Sequence, residues 1–498
     1  GRNLISFFHF DQMTTKLPPC FNQILLYLVK TWFSILNTQK SDTISFIQNV
    51  STLLTGSAIA QLISIVGLIV LQRFFYGPED FAPFRLFFEY VAIFVGISSL
   101  RLDSAIVLEQ DSKNAKALAL ICFKLIGITA IISLISFYIY TSFTKNFNSI
   151  SNQIELLLLI PLSVITLGSL QVFNSWFTRL EKFKLMSINK VFQSALSTST
   201  QLFLGIINFN FIGLILGRFF GTIGANIIFF KNFCKSVINS KVDFSFQKRL
   251  VVKHKNFVYY TSPGFFVGNL INFVFLALFV ELYGNNFGGK IAASVQYLGI
   301  SIAIISSSFS QVYFSKISKL KTKAELKSTY SYWSLRLSIV SVFGVILIHF
   351  IPDSWVTFLL GNQWVGLIEI MKIMAIWMSI MFISSSLSYI YIKLGRQKET
   401  LIFDFIHLFL ATGAIYFAHS RFSDAIISLW AFTIVQCVFY TFAIIVAYYF
   451  ISKFKEDLEW CNFNLLKTTF MVIIMLEKLE LKLAYIENKK PFNYWKSY

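Results

Sequence analysis

Along the chain, apolar blocks of roughly twenty residues alternate with short polar stretches, and a helix of that length crosses the ~30 Å of bilayer hydrocarbon. Twelve such segments lie near 48–72, 84–100, 115–140, 153–176, 187–207, 210–230, 259–281, 289–313, 332–351, 364–392, 401–418 and 424–451. The pattern predicts an all-α integral membrane protein. Residues 21–36 are apolar but short for a span, and are expected to lie at the membrane interface. Residues 452–498 mix Lys and Glu with the apolar "FMVIIML" and read as an amphipathic cytoplasmic tail.

The polar stretches differ in charge. With the N-terminus placed inside, the inner loops hold 22 Lys and Arg and the outer loops four. Such a bias is the positive-inside signature, and it predicts that both termini are cytoplasmic. No outer loop exceeds about fourteen residues, which leaves no room for an extracytoplasmic domain. The longest inner loop divides the spans six and six. The expected organisation is an N-terminal segment 1–43, a six-helix lobe 44–230, a basic linker 231–258, a second lobe 259–451 and the tail 452–498.

Two short matches suggest that the lobes are parallel repeats. Tyr76-Gly77 after the first span matches Tyr283-Gly284 after the seventh, and Ser169-Leu170 with Arg179 matches Ser386-Leu387 with Arg396. An even number of spans per half keeps both halves in one orientation.

Composition sharpens this picture by exclusion. The chain is 56% hydrophobic and 13% charged, whereas soluble proteins are about a quarter charged. The net charge of +19 sits in the loops, so nucleic acid is not an expected partner. Five scattered cysteines show neither CxxC nor Cys/His spacing, which supports neither disulfides nor zinc. No catalytic or phosphate-cradling motif occurs, so no enzyme activity and no cofactor are expected.

The informative residues are charges inside spans, each costing ~2.5–3.5 kcal/mol at the bilayer centre. Arg85 and Glu89, four apart, share a helix face, as do Glu369 and Lys372. Asp404 and His407 also share a face, and are either a proton or ion relay or a packed, half-buried pair. Arg218 flanks a small-residue stripe of Gly213, Gly217, Gly221 and Ala225, a pattern that lets a neighbouring helix approach closely. Lys124, Lys290 and Arg336 have no partner in sequence. Cations outnumber anions in the interior, which favours an anionic cargo, and Arg in particular suits phosphate. In "GISSLRLDSAIVLEQD", Arg101 and Asp103 point to nearly opposite sides of a helix, at the boundary of the second span.

Several segments together resemble a known family. "IQNVSTLLTGSAIAQLISIVGLIVLQRFFYGPEDFAPF", "LRLDSAIVLEQDSKNAKALAL" and "TRLEKFKLMSINKVFQSALSTSTQLFLGIINFNFIGLILG" are similar to the N-terminal half of Wzx-like polysaccharide flippases, within the multidrug/oligosaccharidyl-lipid/polysaccharide (MOP) exporter superfamily. "YGNNFGGKIAASVQYLGISIAIISSSFSQVYF", "FLLGNQWVGLIEIMKIMAIWM" and "LGRQKET" resemble the C-terminal half.

The resemblance implies two six-helix lobes around a cavity that opens alternately to each side. The implied cargo is an undecaprenyl-diphosphate-linked oligosaccharide, flipped across the bacterial cytoplasmic membrane for O-antigen or capsule assembly. Other polysaccharide assembly proteins, a polymerase and a chain-length regulator, are implied partners. The likeness points to Arg73, Arg85, Lys290 and Gln296 as headgroup or sugar contacts and to Arg101 and Asp103 as a cytoplasmic gate; Arg218, a cation without a partner in sequence, is a further expected contact for the cargo. Residues 1–40 and the tail past 455 exceed the family's usual limits, and are expected to be non-native in part. Three alternatives stand beside this reading: a drug or small-molecule exporter of the same superfamily, a membrane enzyme of polysaccharide assembly, and a flippase for the peptidoglycan precursor.

Overall fold

The computed structural model of the chain describes residues 42–109, 111–143, 154–237, 244–320 and 322–453. The expected interfacial segment 21–36 and the tail from 454 onward lie outside these residues. Every described element is a helix or a turn, with no strand among them. Helices are what a hydrocarbon solvent demands, because each backbone N–H must be satisfied within its own segment.

The first half contains α1 (Asp42–Phe74), α2 (Pro78–Ile97), the short α3 (Leu102–Leu108), α4 (Ser112–Phe143), α5 (Ile154–Arg179), α6 (Phe183–Ile206) and α7 (Asn210–Val237). A linker helix α8 (Phe244–Lys253) and a π-helical turn (Phe257–Thr261) lead to α9 (Ser262–Lys319). Then follow α10 (Lys323–His349), the short α11 (Asp353–Leu360), α12 (Leu367–Leu387), the single turn α13 (Tyr389–Lys393), α14 (Gln397–Phe422) and α15 (Ala425–Ser452).

The chain reverses inside α9 at Gly284 (φ 83°, ψ 169°), a conformation that disfavours any side chain. Residues 262–283 and 285–319 are therefore two spans, and all twelve expected segments are present as long helices. Among the described residues nine helices, with α9 counted once, are long and apolar enough to cross a membrane, and the bent pair α2–α3 adds a tenth. The protein is a multi-pass membrane protein.

The start and end signals are local. Pro78 opens α2, and the Asp80 side chain accepts from the Gly77 N–H at 3.1 Å. Thr322 and Glu325 form a reciprocal box at the start of α10, and Asp424 caps α15 through the Ile427 N–H at 2.9 Å. The second span was expected to run to residue 100, but α2 stops at Ile97. Leu100 (φ 49°) and Arg101 (φ 58°) then take left-handed conformations, and α3 leaves at 53°.

The two lobes repeat one packing scheme. In the first, α1 packs on α6, α6 on α7, α4 on α5 and α5 on α7. In the second, α9 packs on α14, α14 on α15, α10 on α12 and α12 on α15. Each pairing has its counterpart six spans later. The Tyr-Gly match holds in three dimensions: the Tyr76 hydroxyl reaches the Gln201 carbonyl on α6, and Tyr283 reaches Ser428 Oγ at 2.6 Å and His419 Nδ1 at 3.0 Å.

The turns after α5 and α13 also correspond, each with one left-handed residue, Glu181 or Gly395. There the Lys182 N–H bonds the Phe177 carbonyl as the Arg396 N–H bonds that of Tyr391. Lys182, rather than Arg179, is thus the structural counterpart of Arg396.

The small-residue stripe of α7 does what its spacing predicts. A Cβ on Gly217 or Gly221 would overlap Gln201 or Ser197 of α6. Large apolar side chains such as Leu335, Phe350, Phe358 and Phe409 remain exposed on the outside, as a lipid-facing surface allows.

Candidate functional site

Three groups of residues join the lobes or carry charge into the interior. The first is a seam at the end of the molecule opposite the basic loops, where α1 ends, α9 reverses and α11 sits. Gln72, fully buried, is its centre. Its side-chain oxygen accepts from the Tyr297 hydroxyl of the second lobe, and its backbone carbonyl accepts from Gln363 Nε2 (2.8 Å) and Trp364 Nε1 (3.2 Å). The Trp364 ring is wholly buried and packs edge-on against Phe81. Gly289 lies so close to Pro78 that a Cβ would overlap its carbonyl.

Two of the expected ligands are at this seam. Arg73 donates to the Thr357 carbonyl at 3.0 Å, and Lys290 has Asp353 as its electrostatic neighbour. Both cations therefore border α11. Gln296 lies half-buried one residue before Tyr297.

The second group lies within the first lobe, between α2 and α7. Arg85 forms an ion pair with Glu89 at 2.6 Å. The Arg218 guanidinium sits over the Phe88 ring at 4.2 Å and is an electrostatic neighbour of both Arg85 and Glu89. Two cations share one anion, so this interior carries a net positive charge. Arg85 and Arg218 are thus brought together, while Arg73 and Lys290 belong to the seam.

The third group is at the basic end. Asp103, 2% exposed, is held by three neutral donors: Ser99 Oγ (2.5 Å), Gln171 Nε2 (3.0 Å) and Ser175 Oγ (3.5 Å). Arg101 turns away from it, as the sequence spacing indicated. Its guanidinium bonds Ser104 Oγ at 3.3 Å and lies over Phe265 of the second lobe at 3.9 Å. Between α3 and α5 a cleft of about 450 Å³ opens, lined by Arg101, Asp103, Ser104, Gln171 and Asn174 among others.

Nearby, Glu109 forms a cluster that the sequence did not reveal. It accepts from Lys253, from His254 Nε2 at 2.8 Å and from Asn114 Nδ2 at 3.2 Å, and Arg179 Nε bonds its carbonyl at 3.0 Å. Burial pushes the carboxyl up, but these hydrogen bonds and the Lys253 charge outweigh it and hold the group down to about 2. The end of the linker helix α8 is thereby pinned to the first lobe.

The other intramembrane polar groups have local explanations. His407 is buried, bonds Gln436 Oε1 at 2.8 Å and stacks on Phe439 at 4.0 Å; it does not bond Asp404. Asp404 is half-buried and faces Gly264 of α9. Lys124 donates to Gln247 at 3.2 Å, and Arg336 stacks on Tyr332 at 3.9 Å. No ion pair joins Glu369 to Lys372. Among the described residues, no group of three His, Cys, Asp or Glu side chains could hold a metal ion.

Residues 46–254 match the family described as "Polysaccharide biosynthesis protein". No curated protein sequence matches the chain. Among solved structures, the chain is similar to a multidrug resistance MATE transporter of the MOP superfamily. The inward-facing form aligns with TM-score 0.59 at 14% identity, and the outward-facing form with 0.57 at 13%; each alignment covers 82% of this chain and 96% of the other. A MOP superfamily transporter from Pyrococcus furiosus Vc1, described as having a binding pocket of reverse polarity, aligns with TM-score 0.58 at 15% identity over 82% and 96% of the two chains. Residues 46–254 thus match a polysaccharide biosynthesis family, and over 82% of its length the chain shares the two-lobe helical fold of these transporters.

Proposed function

We propose that this protein is a transporter that flips undecaprenyl-diphosphate-linked oligosaccharide across the bacterial cytoplasmic membrane by alternating access, for O-antigen, capsule or a related surface polysaccharide. The observation that carries the reading is the joint one of a polysaccharide biosynthesis match on the first lobe and a transporter fold over both. Charge distribution supports the orientation, with the basic end and both termini in the cytoplasm. In this arrangement the seam around Gln72 and Trp364 closes the outer side.

Arg218 and Arg85 supply the positive interior that draws the diphosphate, Glu89 keeping that charge partly balanced. Arg73, Lys290 and Gln296 lie where the cargo leaves, near the outer seam. Rocking of one lobe against the other then changes access. Asp404, with His407 three residues away, is the candidate for ion coupling in the second lobe. A polymerase and a chain-length regulator are the expected partners, and no chemical step is assigned to the chain.

Removing the gene and locating the lipid-linked glycan tests the reading. Complete repeat units should accumulate on the cytoplasmic leaflet. Absence of the units would instead indicate an enzyme of their synthesis. A second reading, a drug exporter, draws on the multidrug transporters among similar folds and on the acidic Asp404. Unchanged surface glycan with raised sensitivity to cationic drugs would favour it.

A further inference from the structure

The cleft between α3 and α5 is not absorbed by the diphosphate chemistry above. Its volume of about 450 Å³ falls in the range of small-molecule sites, ~300–1,000 Å³. One wall is a single face of α5, where Gln171, Asn174 and Thr178 recur at helical spacing; the other carries Arg101 and Ser104. Arg101 and Asp103 cancel in charge, so the cleft is polar and close to neutral.

Hydroxyls and carboxamides both donate and accept. The Asn174 carboxamide lines the cleft, and among the described residues Arg101 Nε is buried without a partner. Asp103 is fixed by neutral donors, with further lone-pair capacity beyond the three bonds it accepts. Buried polar groups left unpaired carry a penalty that a ligand can relieve. Arg101 also ties the cleft's edge to the second lobe, because its stacking partner Phe265 lies on α9.

We propose that this cleft is a sugar subsite, binding a neutral, hydroxyl- and amide-bearing pyranose of the cargo at the cytoplasmic mouth. An anionic group is disfavoured there, since it would meet Asp103 as well as Arg101. The inference rests on the transport reading and deepens it: the first lobe holds the glycan beside α5 and the diphosphate beside α7.

The test uses the purified full chain in lipid nanodiscs with two probes: undecaprenyl diphosphate, and lipid-linked oligosaccharide extracted from the host. Wild-type protein should bind the glycan-bearing lipid more tightly than the bare one. Asn174→Leu and Ser104→Ala should each weaken the glycan-bearing lipid about five- to tenfold, the effect of one lost hydrogen bond, and leave the bare lipid unchanged. Equal weakening of both lipids, or no weakening by either variant, overturns the subsite while the transport reading stands. Failure of the wild type to bind either lipid overturns both.

Discussion

In the first lobe, α7 carries Arg218 over Phe88, beside the Arg85–Glu89 pair. In the second, the helix that repeats α7 is α15, and what it presents is Gln436 to His407 and Phe432 to Phe275, whose rings stack at 4.2 Å. At this helix the same six-helix scaffold therefore presents charge in one lobe and neutral polar and aromatic groups in the other. Repetition preserved which helices touch, because small residues and turn geometry set that. It did not preserve polar content, because a buried charge survives only where its partners are retained with it. The lobes should accordingly respond very differently to loss of one polar group.

The largest difference is expected for Glu89→Leu. It leaves Arg85 and Arg218 without an anion and should destabilise the protein by about 3–5 kcal/mol, read as a lowered thermal unfolding midpoint in detergent. A cost no greater than that of a neutral second-lobe change would abolish the contrast.

Glu109→Gln comes next, at about 2–3 kcal/mol, because it removes charge-assisted hydrogen bonds at a buried group. Its pH dependence has a definite sign. Glu109 is held down to about 2 from an ordinary 4.5, so its contribution is present above pH 4.5 and is lost as pH falls toward 2. Stability measured through that window should fall in the wild type, with a shallower fall in the glutamine variant.

Gly289→Val places a branched side chain against Pro78 and should cost about 1–3 kcal/mol by overpacking. Since the cost falls on the contact between lobes, cysteine pairs placed across the seam should cross-link less efficiently, while pairs within a lobe are unchanged. Unaltered cross-linking across the seam would show that the contact does not hold the lobes together.

The smallest effect belongs to the second lobe. His407→Phe keeps the stack on Phe439 and strands only the Gln436 amide, for about 1 kcal/mol. If it matches Glu89→Leu in cost, the two interiors are energetically alike despite their different chemistry.

The helices were legible because hydrophobic length is a property of neighbouring residues. Even α6, diluted by Lys184, Asn189, Lys190 and Gln193, shows as the apolar segment 187–207, and the charge bias of the loops supports a span there. The stripe on α7 was equally readable, as its period is local. What escaped was assembly over long separations. Asp103 meets Gln171 across 68 positions and Glu109 meets His254 across 145, and no periodicity encodes such meetings. Arg101 and Asp103 were recognised as a boundary, but their separate partners, an aromatic ring in one case and neutral donors in the other, required the fold. Near Arg396 the repeat register differs by three residues from the match of letters, because what the lobes share there is a left-handed turn rather than residue identity.

The pinning of His254 to Glu109 also fixes a leash. Between that anchor and the first residue of α9, Ser262, only residues 255–261 connect the lobes on the basic side. Seven residues reach at most about 25 Å when fully drawn out, and here five of them are coiled into a π-helical turn. The longest inner loop in the sequence thus behaves as a short strap, and its slack sets an upper limit on how wide the basic end can gape.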